Sequence, residues 1–386
     1  MDDKNVLSPG LAVGVPVRYF LLGDTQEAQQ QLTLAKERCI TNTLARLSIS
    51  SELRQQLQEL SPILITGSCG YLGEALLSCL RSLHLDARGF DLMAREPDVA
   101  GDVSDEDALC RAAAGCRSII HTAALHAPNL DFYTEADFRR INLDGTRHVL
   151  NAACKMGETA AVVFSSTTSL MNTQQVKEET RSRSMILKAS EDYGTPRNIY
   201  GVTKKMAEDY CKEATCNVAI LRCSRFFAED AYDTSVEASQ RSSKLSNGNV
   251  KANELLYGTR CSLDDMIMAH LLSLVKIGCV DASSGRQVLG PLIVSAPSPM
   301  LPLLEGQMGA MSDKSGWSEE TLPEARRMYA AFGWSFPESF GRKTGRILDS
   351  RPTWQCLNWK ATWDFQRLVQ DFQDDIHLDI IQEGIY

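Results

Sequence analysis

The chain has 386 residues, enough for two domains or one large domain, and its 44% hydrophobic and 23% charged residues are ordinary for a globular protein. Its formal net charge of −9 argues against a nucleic acid or an anionic membrane surface as a partner. No apolar run is long enough to cross a bilayer and no secretory signal is visible, so we expect a cytoplasmic protein. The 12 cysteines include no Cys-x-x-Cys pair, so neither a metal site nor a redox dithiol is predicted.

Residues 1–60 are predicted to form a helical extension that precedes the main fold. Residues 24–47 are polar with an imperfect helical face, and residues 52–60 predict a second helix with Ser50 or Ser51 as its cap. Two roles are open for this extension, a dimerisation or docking arm and a clamp over the main domain, of which the clamp is favoured.

The main fold is predicted to begin with a strand, a glycine turn and a helix. An apolar run at 63–65 precedes glycines at three-residue spacing, and leucines at helical spacing follow. In a dinucleotide loop the first glycine permits a tight turn, the second lets the backbone approach the pyrophosphate, and the third lets the helix pack against the strand. The first helical N–H groups then face the diphosphate. The predicted cofactor-binding residues of this turn are Gly67, Gly70, Tyr71, Leu72 and Gly73.

The second predicted strand, residues 86–91, ends in an acidic residue. Asp91 lies a little over twenty positions past the glycine turn, where a carboxylate accepts hydrogen bonds from the adenosine ribose hydroxyls. The same carboxylate would repel a 2′-phosphate, which favours NAD over NADP. Arg88 and Arg95 lie nearby in sequence and leave NADP open.

Two later turns are predicted to contact the cofactor. Asp102, followed by Val103, could meet the adenine amino group or could stabilise its own turn, and Ser104 is a candidate cap for the next helix. The strand after that helix is followed by Ala123 and Ala124, which are small enough to let the nicotinamide half of a cofactor lie close.

The remaining pattern alternates strands and helices. A long helix at 138–154 carries Asn142, and a strand at 161–164 ends in the hydroxyl cluster 165–169. This alternation predicts an α/β fold with a doubly wound parallel sheet of the Rossmann type, followed by a smaller C-terminal α/β domain. The predicted division is an N-terminal extension at 1–60, a nucleotide-binding domain at 61–225 and a substrate-binding region at 226–386, the last partly interleaved with the second.

Tyr200 and Lys204 are four residues apart in a predicted helix at 198–211, so both project from one helical face. A free phenol has a pKa near ~10 and is a poor base at neutral pH. An ammonium group one turn away favours the phenolate, and the hydroxyl cluster could hydrogen-bond a substrate oxygen. The alternative is an amphipathic helix in which the lysine extends along the surface to solvent.

Taken together, these motifs resemble the extended short-chain dehydrogenases/reductases, of the NAD-dependent epimerase/dehydratase type. The resemblance covers about residues 62–225, with weaker likeness at 290–299 and 359–365. The matching pieces are Thr66-Gly67-x-x-Gly70-x-x-Gly73, Asp91, Gly101-Asp102-Val103, His121-Thr122-Ala123-Ala124, Asn142, Ser165-Ser166-Thr167 and Tyr200-x-x-x-Lys204.

The resemblance implies a role for each catalytic candidate. Tyr200 would be the acid/base, and Lys204 would lower the pKa of Tyr200 and hold the nicotinamide ribose. Thr167 would be the hydroxyl that bonds the substrate oxygen, with Ser166 as its close rival, and Asn142 would lie on the supporting helix. NAD would be bound by the glycine turn, the two aspartates and the small residues described above, together with Ser166, Tyr200 and Lys204. The resemblance also implies a homodimer through two helices of the central domain.

Two departures from the family pattern bear on the substrate. Relatives that bind uridine-diphosphate sugars often carry an asparagine where this chain has Arg225 and an arginine where it has Gly258, with Arg260 nearby but out of register. Dehydratases commonly carry an Asp-Glu pair where this chain has Thr168 and Ser169, which makes dehydration less favoured.

The predicted function is therefore NAD-dependent hydride transfer at a secondary alcohol or ketone carbon of a sugar-like or other small-molecule substrate. Thr168, Arg225 and Arg260 are the candidates for contact with that substrate, Arg225 through an anionic group or else in a salt bridge to Glu229 or Asp230. Epimerisation and dehydrogenation share their first step and stay open. The alternative function is an NAD-binding regulatory or interaction module without turnover.

Overall fold

The computed structural model describes residues 26–157, 159–180, 185–227, 254–280, 285–301, 346–365 and 367. The first 25 residues of the predicted extension and much of the predicted substrate region lie outside the described residues. The chain divides into two compact units. The first comprises Met1–Ser166, Asn198–Leu221 and Ile267–Gly290, and the second comprises Thr167–Arg197, Arg222–Met266 and Pro291–Tyr386.

The strands of the described residues form one large sheet and two small ones. In chain order they are β1 (Ile63–Thr66), β2 (Ala87–Asp91), β3 (Val99–Ala100), β4 (Ser118–His121), β5 (Ala161–Thr167), β6 (Met185–Leu187), β7 (Asn217–Cys223), β8 (Arg225–Phe227), β9 (Arg260–Ser262), β10 (Val288–Val294) and β11 (Arg346–Leu348). The seven-stranded sheet has the order β10-β7-β5-β4-β1-β2-β3, with parallel pairing from β5 across to β3. The small sheets are β11-β6 and β8-β9.

The helices alternate with the strands of the large sheet. In chain order they are α1 (Gln26–Arg46), α2 (Ser51–Glu59), α3 (Tyr71–Ser82), α4 (Glu106–Ala113), α5 (Glu135–Phe138), a π-helix (Arg139–Asp144), α6 (Gly145–Met156), α7 (Gln174–Glu179), α8 (Ile199–Glu213), α9 (Leu263–Gly278) and α10 (Arg351–Cys356), with short 3₁₀ turns at Ala127–Asn129 and Thr168–Met171. In the described residues no helix is long and apolar enough to cross a membrane.

The large sheet is covered on both faces, which explains why its strands are apolar without alternation. All four residues of β1 are buried, as expected for a parallel strand between two helical layers. On one face Leu64 and Val162 pack in a cluster with Val149 of α6 and Ala207 of α8. On the other face α9 lies so close to β5 that a Cβ at Gly278 would be 3.3 Å from the Ala161 Cβ. The predicted doubly wound parallel sheet is confirmed.

The predicted helical character of the extension is also confirmed over its described residues, 26–60. α1 and α2 precede β1, and the Ser50 hydroxyl accepts the Leu53 N–H at 3.1 Å, which identifies Ser50 as the cap of α2. A second predicted cap is wrong. Asp105, not Ser104, caps α4 by accepting the Ala108 N–H at 3.0 Å.

Three boundaries differ from the sequence expectation. The helix predicted at 138–154 is interrupted by the π-helix Arg139–Asp144. β5 extends to Thr167, so the first part of the hydroxyl cluster belongs to the strand. The segment 172–198, for which no element was predicted, contains α7 and β6, and β6 pairs with β11 far along the chain.

In the second unit a buried carboxylate anchors the segment that follows α10. Both oxygens of Asp265, near the start of α9, accept hydrogen bonds: Oδ1 from the Trp359 indole at 3.2 Å and the Thr362 N–H at 2.8 Å, and Oδ2 from the Trp363 N–H at 3.1 Å. Trp359 and Trp363 therefore hold the segment after α10 against Asp265 through these hydrogen bonds.

Candidate cofactor and catalytic site

The glycine turn between β1 and α3 leaves no room for side chains at two of its three glycines. Gly67 has a φ of +73°, and a Cβ there would be 2.6 Å from the Ala123 main-chain nitrogen. A Cβ at Gly73 would be 2.1 Å from the Gly67 carbonyl oxygen. At Gly70 the single heavy atom within 4 Å of a Cβ is that same oxygen, at 3.2 Å. The turn is thus tight at its base and open beside Gly70, as a bound diphosphate requires.

The carboxylate of Asp91 is held against this turn. Its Oδ2 accepts the Cys69 N–H at 3.1 Å, and its Oδ1 accepts the Met93 N–H at 2.9 Å. Each carboxylate oxygen can accept one further hydrogen bond, so Asp91 can still accept hydrogen bonds from ribose hydroxyls. Burial, followed by the Asp91 charge, raises the pKa of the Cys69 thiol to about 11, so this cysteine stays protonated at neutral pH.

Asp102 is engaged in its own turn. Its Oδ1 accepts the Ser104 N–H at 2.9 Å, and its Oδ2 accepts from Arg140 Nη1 at 2.9 Å. Although burial opposes ionisation, the hydrogen bonds from Ser104 and Arg140 hold the pKa of Asp102 below its ordinary value. The side chain of Val103 packs beside Gly145, where a Cβ would be 2.8 Å from Val103 Cγ2. The turn-stabilising alternative for Asp102 is the one observed, and a contact with adenine stays a prediction.

Asn142 lies in the π-helix and connects two parts of the first unit. Its Oδ1 accepts the Leu125 N–H at 2.7 Å, and its Nδ2 donates to the Leu125 carbonyl at 2.9 Å and to Thr203 Oγ1 at 3.3 Å. Single turns of π-helix inside α-helices are frequent at functional sites. Because Thr203 immediately precedes Lys204 on α8, Asn142 ties that helix to the segment following Ala123 and Ala124.

The predicted pair on α8 is buried. Asn198 caps this helix by accepting the Gly201 N–H at 2.9 Å, so Tyr200 lies in its first turn. Lys204 is 2% exposed and its Nζ lies 4.0 Å from the centre of the Phe164 ring, a cation–π distance. Such burial contradicts the alternative of a lysine that extends along the surface to solvent. Tyr200 is also buried, and its ring meets the His126 ring edge to face at 6.2 Å.

The two hydroxyl candidates at the end of β5 have different partners. Ser166 Oγ donates to Glu208 Oε1 at 2.6 Å, and both residues are buried. Thr167 Oγ1 accepts the Ser169 N–H at 3.1 Å. Ser166 is therefore bonded to α8 through Glu208, whereas Thr167 is bonded within its own turn. Glu208 was missed in the sequence analysis, although it lies one helical turn beyond Lys204.

His121 and His270 are packed in the interior of the first unit. His121 is buried between Thr66 Oγ1 at 2.7 Å and Thr146 Oγ1 at 3.1 Å. Burial, and then the nearby charge of Lys204, lowers the pKa of His121 to about 3, so its ring is neutral. His270 is buried and its Nε2 lies 2.8 Å from Ser165 Oγ.

The three substrate candidates lie in the second unit. Arg225 and Arg260 are directly paired across β8 and β9, and both form ion pairs with Glu254. The partners considered for Arg225 in sequence, residues 229 and 230, lie outside the described residues. Arg346 is exposed but close enough to Arg225 and Arg197 to interact with their charges, so several guanidinium groups share this region. Thr168 begins the short 3₁₀ turn after β5.

Comparisons with known proteins agree with this geometry. Residues 63–274 match the profile of the NAD dependent epimerase/dehydratase family. A 3 beta-hydroxysteroid dehydrogenase/Delta 5-->4-isomerase of Mycobacterium tuberculosis is 31% identical over 130 residues, which cover 31% of this chain and 35% of that protein. An L-arabinose 1-dehydrogenase (NAD(P)(+)) of Haloferax volcanii is 31% identical over 152 residues, which cover 38% of this chain and 58% of that protein. The match thus spans between about a third and three fifths of the length of these relatives.

Solved structures share the fold at low sequence identity. A short-chain dehydrogenase/reductase superfamily protein from Agrobacterium tumefaciens, solved with bound NAD, superposes with a TM-score of 0.51 at 20% identity, covering 84% of this chain and 99% of that one. A UDP-galactose 4-epimerase superposes with a TM-score of 0.50 at 16% identity, covering 82% and 99%.

A parallel sheet with an open glycine turn after β1 and a buried Tyr-x-x-x-Lys pair on α8 defines the class of extended short-chain dehydrogenases/reductases. The chain belongs to the NAD dependent epimerase/dehydratase family, whose profile covers more than half of its length.

Proposed function

We propose that the chain is an NAD-dependent oxidoreductase that acts at a secondary alcohol or ketone carbon of a small molecule, with Tyr200 as its acid/base. The observation that carries this proposal is the burial of the Lys204 ammonium one helical turn from the Tyr200 phenol. Burying an ammonium group costs free energy, which the Phe164 ring offsets in part. The positive charge held there would favour the phenolate form of Tyr200. Two similar proteins are named as dehydrogenases, one for a hydroxysteroid and one for a sugar.

The protein's part in the reaction is to hold and move a proton. Tyr200 takes the proton from a substrate hydroxyl in the oxidative direction, and Lys204 makes that transfer easier by favouring the phenolate. Bound NAD supplies the hydride acceptor. Thr167 is the better candidate for the hydroxyl that orients the substrate oxygen, because Ser166 already donates its hydroxyl proton to Glu208.

NAD fits the residues at the glycine turn. The space beside Gly70 suits a diphosphate, and the Asp91 carboxylate suits ribose hydroxyls. A 2′-phosphate would meet the negative charge of Asp91, which supports the preference for NAD over NADP. A homodimer stays a prediction of the family resemblance.

A sugar-like or other small-molecule substrate with an anionic group fits the second unit best. Arg225 and Arg260 share one carboxylate, Glu254, and Arg346 experiences further positive charge from Arg197. Positive charge therefore exceeds negative charge among these groups, and guanidinium groups bind carboxylates and phosphates well. Thr168 is a candidate for contact with the same substrate.

The test is a matched pair of tyrosine variants on α8. We expect Tyr200→Phe to bind NADH as the wild type does but to lose turnover by a factor of roughly 10² or more, because the proton donor and acceptor is gone. Tyr210→Phe removes a hydroxyl from a partly buried tyrosine of the same helix and should keep full turnover. NADH absorbance with a panel of sugars, uronates, nucleotide sugars and sterols measures turnover.

The alternative is an NAD-binding module without turnover. Tight NADH binding by the wild type, together with no NADH formation or consumption across the whole panel, would favour this alternative. Unchanged turnover in Tyr200→Phe would refute the role of Tyr200.

A further inference from the structure

Lys36 of α1 contacts the glycine turn of the first unit. Its Nζ donates to the Cys69 carbonyl at 2.9 Å, forms an ion pair with Glu74, and lies 5.8 Å from the centre of the Tyr71 ring. Cys69 belongs to the turn itself, and Tyr71 and Glu74 belong to the first helical turn of α3. A residue outside the family match at 63–274 therefore contacts the proposed cofactor site.

The contact completes the hydrogen bonding of the turn. The Cys69 N–H donates to Asp91, the Cys69 carbonyl accepts from Lys36, and the next N–H, that of Gly70, donates to the Gly67 carbonyl at 3.0 Å. The peptide that joins Cys69 to Gly70 is thus fixed at both its carbonyl and its amide. A loop already held in its binding shape loses less conformational freedom when a ligand binds.

Lys36 offsets the negative charge of Glu74 at the start of α3. The start of a helix attracts negative groups through its partial positive charge, and Glu74 lies in the first turn of α3. A cofactor diphosphate bound at the same helix start would be repelled by that carboxylate. The side chains of Lys36 and Glu74 are only 19% and 31% exposed, so solvent screens their interaction incompletely.

We infer that Lys36 is a cofactor-positioning residue, which offsets the charge of Glu74 and so allows the diphosphate of a dinucleotide to occupy the start of α3. The N-terminal helix is then part of the cofactor site. This inference rests on the NAD binding in the proposed function, but it is independent of the chemistry assigned to Tyr200.

The test is a set of NADH titrations of the full chain at low salt and without substrate, in which fluorescence detects the bound NADH. Lys36→Met should raise the Kd for NADH about tenfold, because Glu74 is left uncompensated beside the diphosphate. Adding Glu74→Gln to that variant should restore the Kd to within about threefold of the wild type. Arg38→Met removes an exposed positive charge from the same helix and should leave the Kd unchanged.

Two results would overturn the inference: wild-type NADH binding in Lys36→Met, or a double variant as weak as Lys36→Met alone. Should Lys36→Met fail to fold, Glu74→Gln alone decides, because weaker NADH binding in that variant contradicts a repulsive Glu74. Absent NADH binding in the wild type would instead refute the cofactor assignment, whereas intact binding without turnover would refute only the proposed reaction.

Discussion

Ser166 and Glu208 are joined by a 2.6 Å hydrogen bond from the serine hydroxyl to the carboxylate. Ser166 lies near the end of β5, and Glu208 lies one helical turn beyond Lys204 on α8, so the bond fixes this helix against the sheet. Glu208 is 1% exposed, and a carboxylate that deep requires hydrogen-bond donors around it. The position of Tyr200 and Lys204 relative to the sheet thus depends on this polar contact as well as on apolar packing.

Glu208→Ala should destabilise the protein by about 2–4 kcal/mol, because it removes a buried acceptor and leaves Ser166 without its partner. Urea unfolding of the variant and of the wild type measures the change. Glu213→Ala, at an exposed position at the end of the same helix, should change the free energy of unfolding by less than about 0.5 kcal/mol. A double-mutant cycle with Ser166→Ala should give a coupling of at least about 1 kcal/mol, and additive effects would contradict the interaction.

Gly70 and Gly73 make a matched pair that separates cofactor binding from folding. Gly70→Ala places its Cβ in the open space beside the turn, 3.2 Å from the Gly67 carbonyl oxygen, with backbone angles that alanine accepts. We expect its stability to stay within about 1 kcal/mol of the wild type, and its affinity for NADH to fall at least roughly tenfold because the methyl group occupies the diphosphate space.

Gly73→Ala should show the opposite balance. Its Cβ would lie 2.1 Å from the Gly67 carbonyl oxygen, so the turn must move. A loss of about 2–4 kcal/mol in the free energy of unfolding is expected, typical of overpacking against backbone. Thermal unfolding and NADH titration of both variants measure the two quantities. A Gly70→Ala protein that binds NADH normally would show that the diphosphate does not lie there.

The features predicted correctly from the sequence are those that depend on residues close together in the chain. The glycine turn, the Ser50 cap and the Tyr200–Lys204 spacing each depend on residues within a few positions, and each appears in the structure near its expected place. The buried strands can also be predicted from the local sequence, because a strand covered on both faces is apolar throughout.

The features that were missed depend on distant residues. The π-helix at 139–144 coincides with Asn142, whose partners Leu125 and Thr203 lie on both sides of it in sequence. The strand β6 exists only because β11, more than a hundred residues away, pairs with it. Likewise, nothing near Lys36 in the sequence indicates a contact with Cys69.

The stability of the protein should fall as the pH drops from 7 to 5, in part through His121. Its pKa in the folded protein is about 3, because of burial and then the charge of Lys204, and about 6.5 is expected in the unfolded chain. Between these values the unfolded chain binds more protons, so the stabilising contribution is complete above pH 6.5 and declines on acidification. At pH 5 the loss is about 2 kcal/mol.

Urea unfolding at pH 7 and pH 5 measures that loss. His121→Asn lowers stability at both pH values but should remove most of this pH-dependent difference, since asparagine does not titrate. His84→Asn, at an exposed position with a φ of 58° that asparagine tolerates, is the control and should keep the wild-type difference. An equal pH dependence in His121→Asn and the wild type would exclude His121 as a source.

Asp265 should be the most sensitive carboxylate of the second unit. It is fully buried and accepts hydrogen bonds from Trp359, Thr362 and Trp363, as well as from the Ser262 hydroxyl at 2.9 Å. Because every one of these partners donates, Asp265→Asn turns an amide NH₂ toward donors and should lower the free energy of unfolding by about 2–4 kcal/mol.

Asp264→Asn is the matched control. Its Oδ2 accepts the Trp363 indole N–H at 3.3 Å, and the expected loss is about 1 kcal/mol. Urea unfolding followed by tryptophan fluorescence measures both losses, and equal losses would show that the donors around Asp265 do not depend on its charge.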